Sequence, residues 1–141
     1  MSGPIVLLDT NIFVSARNRR ESGHETCRRL LDRIDEGKIR AQISTVSIAE
    51  IRAGLLPAEA RTMWQAFVSH LLTSPYYRVE PVDVAIAEMA GQLRSDTKLS
   101  LPDALIVATG HLKGAGFLVT QDRQLSRLET VVEVRTPQQM V

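Results

Sequence analysis

Five short apolar runs, "PIVLLD", "IRAQIS", "YRVEPV", "GFLVT" and "VVEVR", punctuate this chain, and the stretches between them carry helical periodicity. Strands separated by helices are expected to run parallel, with helices covering both faces of the sheet they form. The expected class is therefore α/β, an α/β/α sandwich with a parallel five-stranded sheet. "HETCRRLLDRIDEG" presents Leu30, Leu31 and Ile34 at helical spacing and stops at Gly37. "TVSIAEIRAGLL" reads as a helix apolar almost all round, and "AEARTMWQAFVSHLL" as another that begins just after Pro57. "VDVAIAEMAGQLRSD" places Val82, Ile86, Met89 and Leu93 on one face, and "LPDALIVATGHLKG" is a more uniformly apolar helix with Pro102 in its first turn.

The 141 residues, 44% hydrophobic and 23% charged, suffice for one buried core. No repeat, low-complexity tract or Pro/Gly/Ser-rich linker divides them, so residues 1–141 are expected to form a single domain. A formal net charge of +1 means that any surface for nucleic acid must be local. Cys27 is the sole cysteine, which excludes an internal disulfide framework and a thiolate metal cluster. No apolar run approaches the roughly 20 residues of a membrane span, and no charged-then-apolar leader opens the chain. The expectation is a cytoplasmic protein without membrane contact.

The first run ends on an acid. In open parallel sheets ligands collect beyond the carboxyl ends of the strands, near the point where strand order reverses. Asp9 ends the first strand there, and Asp122 follows the fourth in "FLVTQDRQL". Two further acids keep apolar company. On "TVSIAEIRAGLL", Ser47, Glu50 and Gly54 fall on one narrow stripe, while Asp103 sits in the first turn of "LPDALIVATG" and is expected to be buried. Gathering four carboxylates is costly, since one like-charge pair at about 4 Å repels by on the order of 4 kcal/mol at an effective dielectric near 20. Oxygen donors without organised His or Cys suit a hard divalent ion, Mg²⁺ or Mn²⁺, which keeps several waters and bridges to phosphates. The implied chemistry is hydrolysis of a phosphodiester by a metal-activated water.

Through "LDTNIFV", "ISTVSIAEIRAGL", "LPDALIVATG" and "LVTQD", in order and at suitable separations, the whole chain resembles the PIN-domain ribonucleases, specifically the VapC-type toxins of bacterial toxin–antitoxin pairs. The resemblance implies strand order 3-2-1-4-5, with Asp9 and Asp122 on neighbouring strands. It implies that Asp9, Glu50, Asp103 and Asp122 form the metal site of an Mg²⁺- or Mn²⁺-dependent endoribonuclease. It further implies an RNA substrate, a cognate antitoxin, promoter DNA bound only through that antitoxin, and a homodimer. The departure is Gln121, which stands between Thr120 and Asp122 where such families vary. The alternative function is an inactive PIN-fold module within a DNA-bound repressor complex. A phosphotransfer receiver or aspartate phosphatase is disfavoured, because "DTN" lacks the second acid of a D-x-D pattern and no acidic pair precedes Asp9.

Each acid alone also has an ordinary explanation. Asp9 or Asp122 could cap a helix, Asp103 could complement a helix dipole, and Glu50 could complete a capping box with Ser47. Asp83, Glu88 and Glu133 are decoys with apolar sequence neighbours, Glu88 pointing away from its helix's apolar face. Thr10, Asn11 and Thr120 adjoin the acids and are expected to hold carboxylates or metal waters, or to serve as turn and cap residues. Arg17, Arg19 and Arg20 in "ARNRR" either grip phosphates or form a solvated run. His24, His70 and His111 lack metal-ligand spacing, and Trp64 and Phe67 are expected to pack rather than stack on bases.

Overall fold

The first apolar run is the middle of the sheet. In the structure, a computed structural model that describes residues 3–141, five strands are hydrogen-bonded in the order β3-β2-β1-β4-β5, every neighbouring pair parallel. They are β1 (Ile5–Leu8), β2 (Arg40–Ser44), β3 (Tyr77–Glu80), β4 (Phe117–Val119) and β5 (Val134–Arg135). The helices are α1 (Thr10–Arg17), α2 (His24–Asp35), α3 (Thr45–Ala53), α4 (Pro57–Thr73), α5 (Val84–Thr97) and α6 (Leu101–Leu112). Short 3₁₀ segments occupy Arg123–Leu128 and Pro137–Met140.

Successive strand residues point to opposite faces, so a strand covered on both sides must be apolar at every position. Val6, Leu8 and Val119 join Ile12, Phe13, Leu30 and Ile34 from α1 and α2 in one core, whereas Leu7 and Leu118 join Ile86, Ala104 and Val107 from α5 and α6 in the other. The α/β/α layering and the strand order both match expectation. Helix α6 is buried at six of its positions, which accounts for its nearly uninterrupted apolar sequence. Gly37 closes α2 with φ +78, and a Cβ there would lie 2.8 Å from the Tyr76 ring, so the turn requires glycine twice over.

Two local expectations are corrected. The helix read from Val82 starts at Val84, because Asp83 caps it by accepting from Ile86 N; Val82 stays outside and exposed, and Ala90 takes its place on the buried face. The last strand contracts from five residues to Val134–Arg135, since it has a single neighbour, β4, only three residues long. Helix α3, apolar in composition, buries only Ser47 and Ile51. Among the described residues no helix is long and apolar enough to cross a membrane.

Candidate active site

Strand pairing delivers the site to one edge. Leu8 pairs with Val119, and the backbone N–H of Asp9 donates to Val119 O at 3.0 Å, so the turns that follow β1 and β4 emerge side by side at the switch point. Asp9 then caps α1, its Oδ1 accepting from Thr10 N at 2.8 Å. Its other oxygen, Oδ2, accepts from the Thr120 hydroxyl at 2.6 Å and from Asn11 Nδ2 at 3.2 Å. Thr120 Oγ1 in turn accepts from Asp122 N at 2.9 Å and from Asn11 Nδ2 at 3.3 Å. Asn11 and Thr120, with the backbone of Thr10, thus all enter the network that holds the first acid.

Glu50 arrives from α3. The Thr10 hydroxyl lies 2.6 Å from Glu50 Oε1 and 2.8 Å from Ser47 Oγ, which ties α1 to α3 at the site. With a single proton to give, that hydroxyl serves the carboxylate and can accept from Ser47. The cap of α3 is Ser44, not Ser47, so a Ser47–Glu50 capping box does not form. Asp103 occupies the first turn of α6, behind Ser100, whose hydroxyl accepts from Asp103 N. It is half-buried rather than buried, because the helix start faces the sheet's open edge.

Electrostatics join three of the four acids. Asp9 is only 5% exposed, and burial pushes its carboxyl up to about 6, with Asp103 and Glu50 adding to the rise and the hydrogen bonds from Thr120 and Thr10 opposing it. Asp122 is different: its Oδ1 accepts from Gln124 N at 2.9 Å, capping the 3₁₀ segment, and it does not contribute to the rise. Among the described residues no His, Lys or Arg forms an ion pair with any of the four acids, and no three His, Cys, Asp or Glu side chains close on one point. The arrangement is an open acidic notch with uncompensated charge, rather than a closed cage.

The remaining candidates separate cleanly. Arg17 Nη1 is paired with Glu59 Oε2 of α4 at 3.0 Å, while Arg19 and Arg20 are exposed on the connection from α1 to α2. Asp83 is held by Lys113 Nζ at 2.9 Å, Glu88 is exposed, and Glu133 pairs with Arg135. His24 and His111 bond backbone carbonyls, and His70 bonds Asp35. Phe67 packs edge-on against Phe13 with centroids 5.6 Å apart, and Trp64 packs against Phe67. Cys27 is buried within α2. Sequence reading gave no role to Glu59, Ser15 or Gly23, and took Gln121 only as a departure; apart from Leu56 N, which donates to Glu59 Oε1, their partners are far away along the chain.

Comparison with known proteins gives a consistent picture. The PIN-domain family profile matches residues 6–131. Ribonuclease VapC10 of Mycobacterium tuberculosis is 35% identical over 91 residues, a stretch covering 61% of this chain and only 57% of that relative. Among solved structures, a toxin–antitoxin complex from Klebsiella pneumoniae superposes with TM-score 0.69 at 25% identity, covering 94% of this chain and 97% of the other. VapBC2 from Rickettsia felis, bound to a DNA fragment from its promoter, shares the fold at TM-score 0.69 and 20% identity, covering 94% and 98% of the two chains.

Proposed function

This chain belongs to the PIN-domain family, and on that footing we propose that it is a divalent-metal-dependent endoribonuclease, the toxin of a type II toxin–antitoxin pair. The observation that carries the reading is Asp9, buried at the end of β1 beside the charges of Glu50 and Asp103, with no cationic side chain paired to it among the described residues. Such a site gains from a cation. Oxygen donors that do not close a cage fit an ion that retains much of its water, so Asp9, Glu50 and Asp103 would hold Mg²⁺ or Mn²⁺, with Asp122 at the margin. When bound, that ion supplies positive charge to the scissile phosphate and lowers the pKa of a water so that it can attack.

The chain's own residues then orient and bind. Thr120 and Asn11 hold Asp9, and Thr10 with Ser47 holds Glu50, fixing both carboxylates before substrate arrives. Arg17, Arg19 and Arg20 lie on and just beyond α1, whose first turn carries the site, and supply cationic groups for RNA phosphates. Arg17 must leave Glu59 to do so.

The antitoxin's seat is an apolar groove of about 260 Å³, lined by Phe13, Leu31, Ile51, Trp64, Phe67 and Tyr77. Phe13, Val14, Ala16 and Arg17 of α1 form one of its walls. The toxin–antitoxin assemblies among the structural neighbours support this partner, and promoter DNA is reached through it. Exposed Val84, Leu101 and Leu112 on α5 and α6 support a homodimer, and the toxin reading places its action in the cytoplasm. The inactive-module reading is disfavoured, as it leaves the charged notch without use.

The test is incubation of purified, antitoxin-free protein with several RNAs in Mg²⁺, Mn²⁺ or chelator. Cleavage is expected only with metal, and should be lost in Asp9→Asn and Asp103→Asn. Undiminished cleavage in chelator refutes the proposal.

A further inference from the structure

The residue between Thr120 and the marginal acid Asp122 has a side chain directed away from the notch. Gln121 Nε2 donates to Ser15 Oγ at 2.7 Å and to Asn11 O at 3.3 Å, both on α1, while its backbone N–H donates to Asn11 Oδ1 at 3.3 Å. That last bond orients the Asn11 amide, leaving Nδ2 to face Asp9 and Thr120. Ser15 is buried, so the amide of Gln121 cannot be replaced there by bulk water. On its other side Gln121 Oε1 presses on Gly23: a Cβ on residue 23 would lie 1.9 Å from Oε1 and 3.0 Å from Cδ. Gly23 is buried and ends the connection that carries Arg19 and Arg20.

We propose that Gln121 is a positioning residue of the notch: a strap that locks the turn after β4 to α1 and to the Arg19–Arg20 connection, and that needs glycine at residue 23 to fit. The role rests on the metal-site reading above. By anchoring the turn to Asn11 O and Ser15 Oγ, the strap sets where the backbone N–H of residue 121 meets Asn11 Oδ1 and so how Asn11 Nδ2 meets Asp9 Oδ2, and through the backbone between Thr120 and Asp122 it positions the last acid. The same strap sets where the arginine-bearing connection stands relative to both. Two changes, distant in sequence, should therefore have one consequence. Gln121→Ala removes the strap, and Gly23→Ala displaces it.

The experiment is a double-mutant cycle read by thermal unfolding across an Mn²⁺ titration, with RNA cleavage as a second readout. Gln121→Ala and Gly23→Ala are each expected to raise the Mn²⁺ concentration for half-maximal stabilisation by about tenfold, the lower end of what loss of an outer partner costs a metal site. Each should raise KM for RNA as well as lower kcat, since the arginine connection moves with the acids. Gly23→Ala is expected to have no further effect when combined with Gln121→Ala, because the space it needs is then empty. Gln121→Glu should fail to rescue, as it aims a carboxylate at the Asn11 carbonyl. If wild type responds to Mn²⁺ and the single variants respond at the same concentration, or if their effects add, the strap is refuted while the metal site stands. If wild type does not respond to Mn²⁺ or Mg²⁺ at all, the metal-site reading falls and this role falls with it.

Discussion

Replacing Asp9 by Asn should make the metal-free protein more stable at neutral pH and less stable, relative to wild type, in acid. Folding moves the Asp9 carboxyl from its ordinary 3.8 to about 6, mainly through burial. At about 1.36 kcal/mol per pH unit, ionised Asp9 costs the fold about 3 kcal/mol at pH 7.5. Because the folded value is raised, the folded state holds its proton more tightly than the unfolded chain. Stability from this group is complete below pH 3.8 and is lost as pH rises through about 6. Asn at residue 9 escapes that loss. It keeps an acceptor for Thr10 N but turns an NH₂ toward the Thr120 hydroxyl and Asn11 Nδ2, forfeiting bonds worth about 1–2 kcal/mol together.

The net expectation for Asp9→Asn is a gain of about 1–2 kcal/mol at pH 7.5 in chelator, or roughly 3–8 °C in Tm for a domain of this size. The difference should shrink through pH 6 and reverse near pH 5. Metal should reverse it too. An ion that binds only the folded wild type stabilises by mass action, and the curves should cross once it exceeds its dissociation constant about 5- to 30-fold. Calorimetry of both proteins from pH 4 to 8, with and without Mn²⁺, checks each limb. A Tm difference flat with pH would refute the burial argument, and parallel metal curves would leave Asp9 as a helix cap alone.

Thr10→Val should lower Tm by a few degrees and cut metal-dependent cleavage about tenfold, since it removes the hydroxyl that joins Glu50 to α1; a differential melt with a cleavage assay decides it. Phe13→Ala should cost about 3–5 kcal/mol in denaturant unfolding, because Phe13 is buried and carries the ring contacts to Phe67 and Tyr77. Arg17→Ala and Glu59→Ala should show a coupling of no more than about 1 kcal/mol in a double-mutant cycle, the pair being about one-third exposed on each side. If Arg17 serves RNA, Arg17→Ala should still raise KM well beyond what that coupling predicts.

Periodicity and composition alone determine the layer architecture here, because a strand such as Ile5–Leu8 that is apolar at every position can only be buried on both faces, and helices are what the chain provides to bury it. The same logic puts Asp9 at the carboxyl edge, one residue past the last buried strand position. Turn-level detail was less legible: the start of α5 depends on Asp83 outcompeting Val82 for the cap, and the length of β5 depends on how far β4 extends. What only the tertiary structure decided is which of the acids share a field. Glu50 and Asp103 reach Asp9 through packing between α1, α3 and α6, whereas Asp122 turns to cap its own 3₁₀ segment, and no local pattern distinguishes those outcomes. Gln121 is the sharpest case. Its partners Ser15 and Asn11 lie 106 and 110 residues away along the chain, and side-chain hydrogen bonds across such separations leave no period in the sequence to read; they exist because β1 and β4 pair, which brings α1 beside the turn that follows β4.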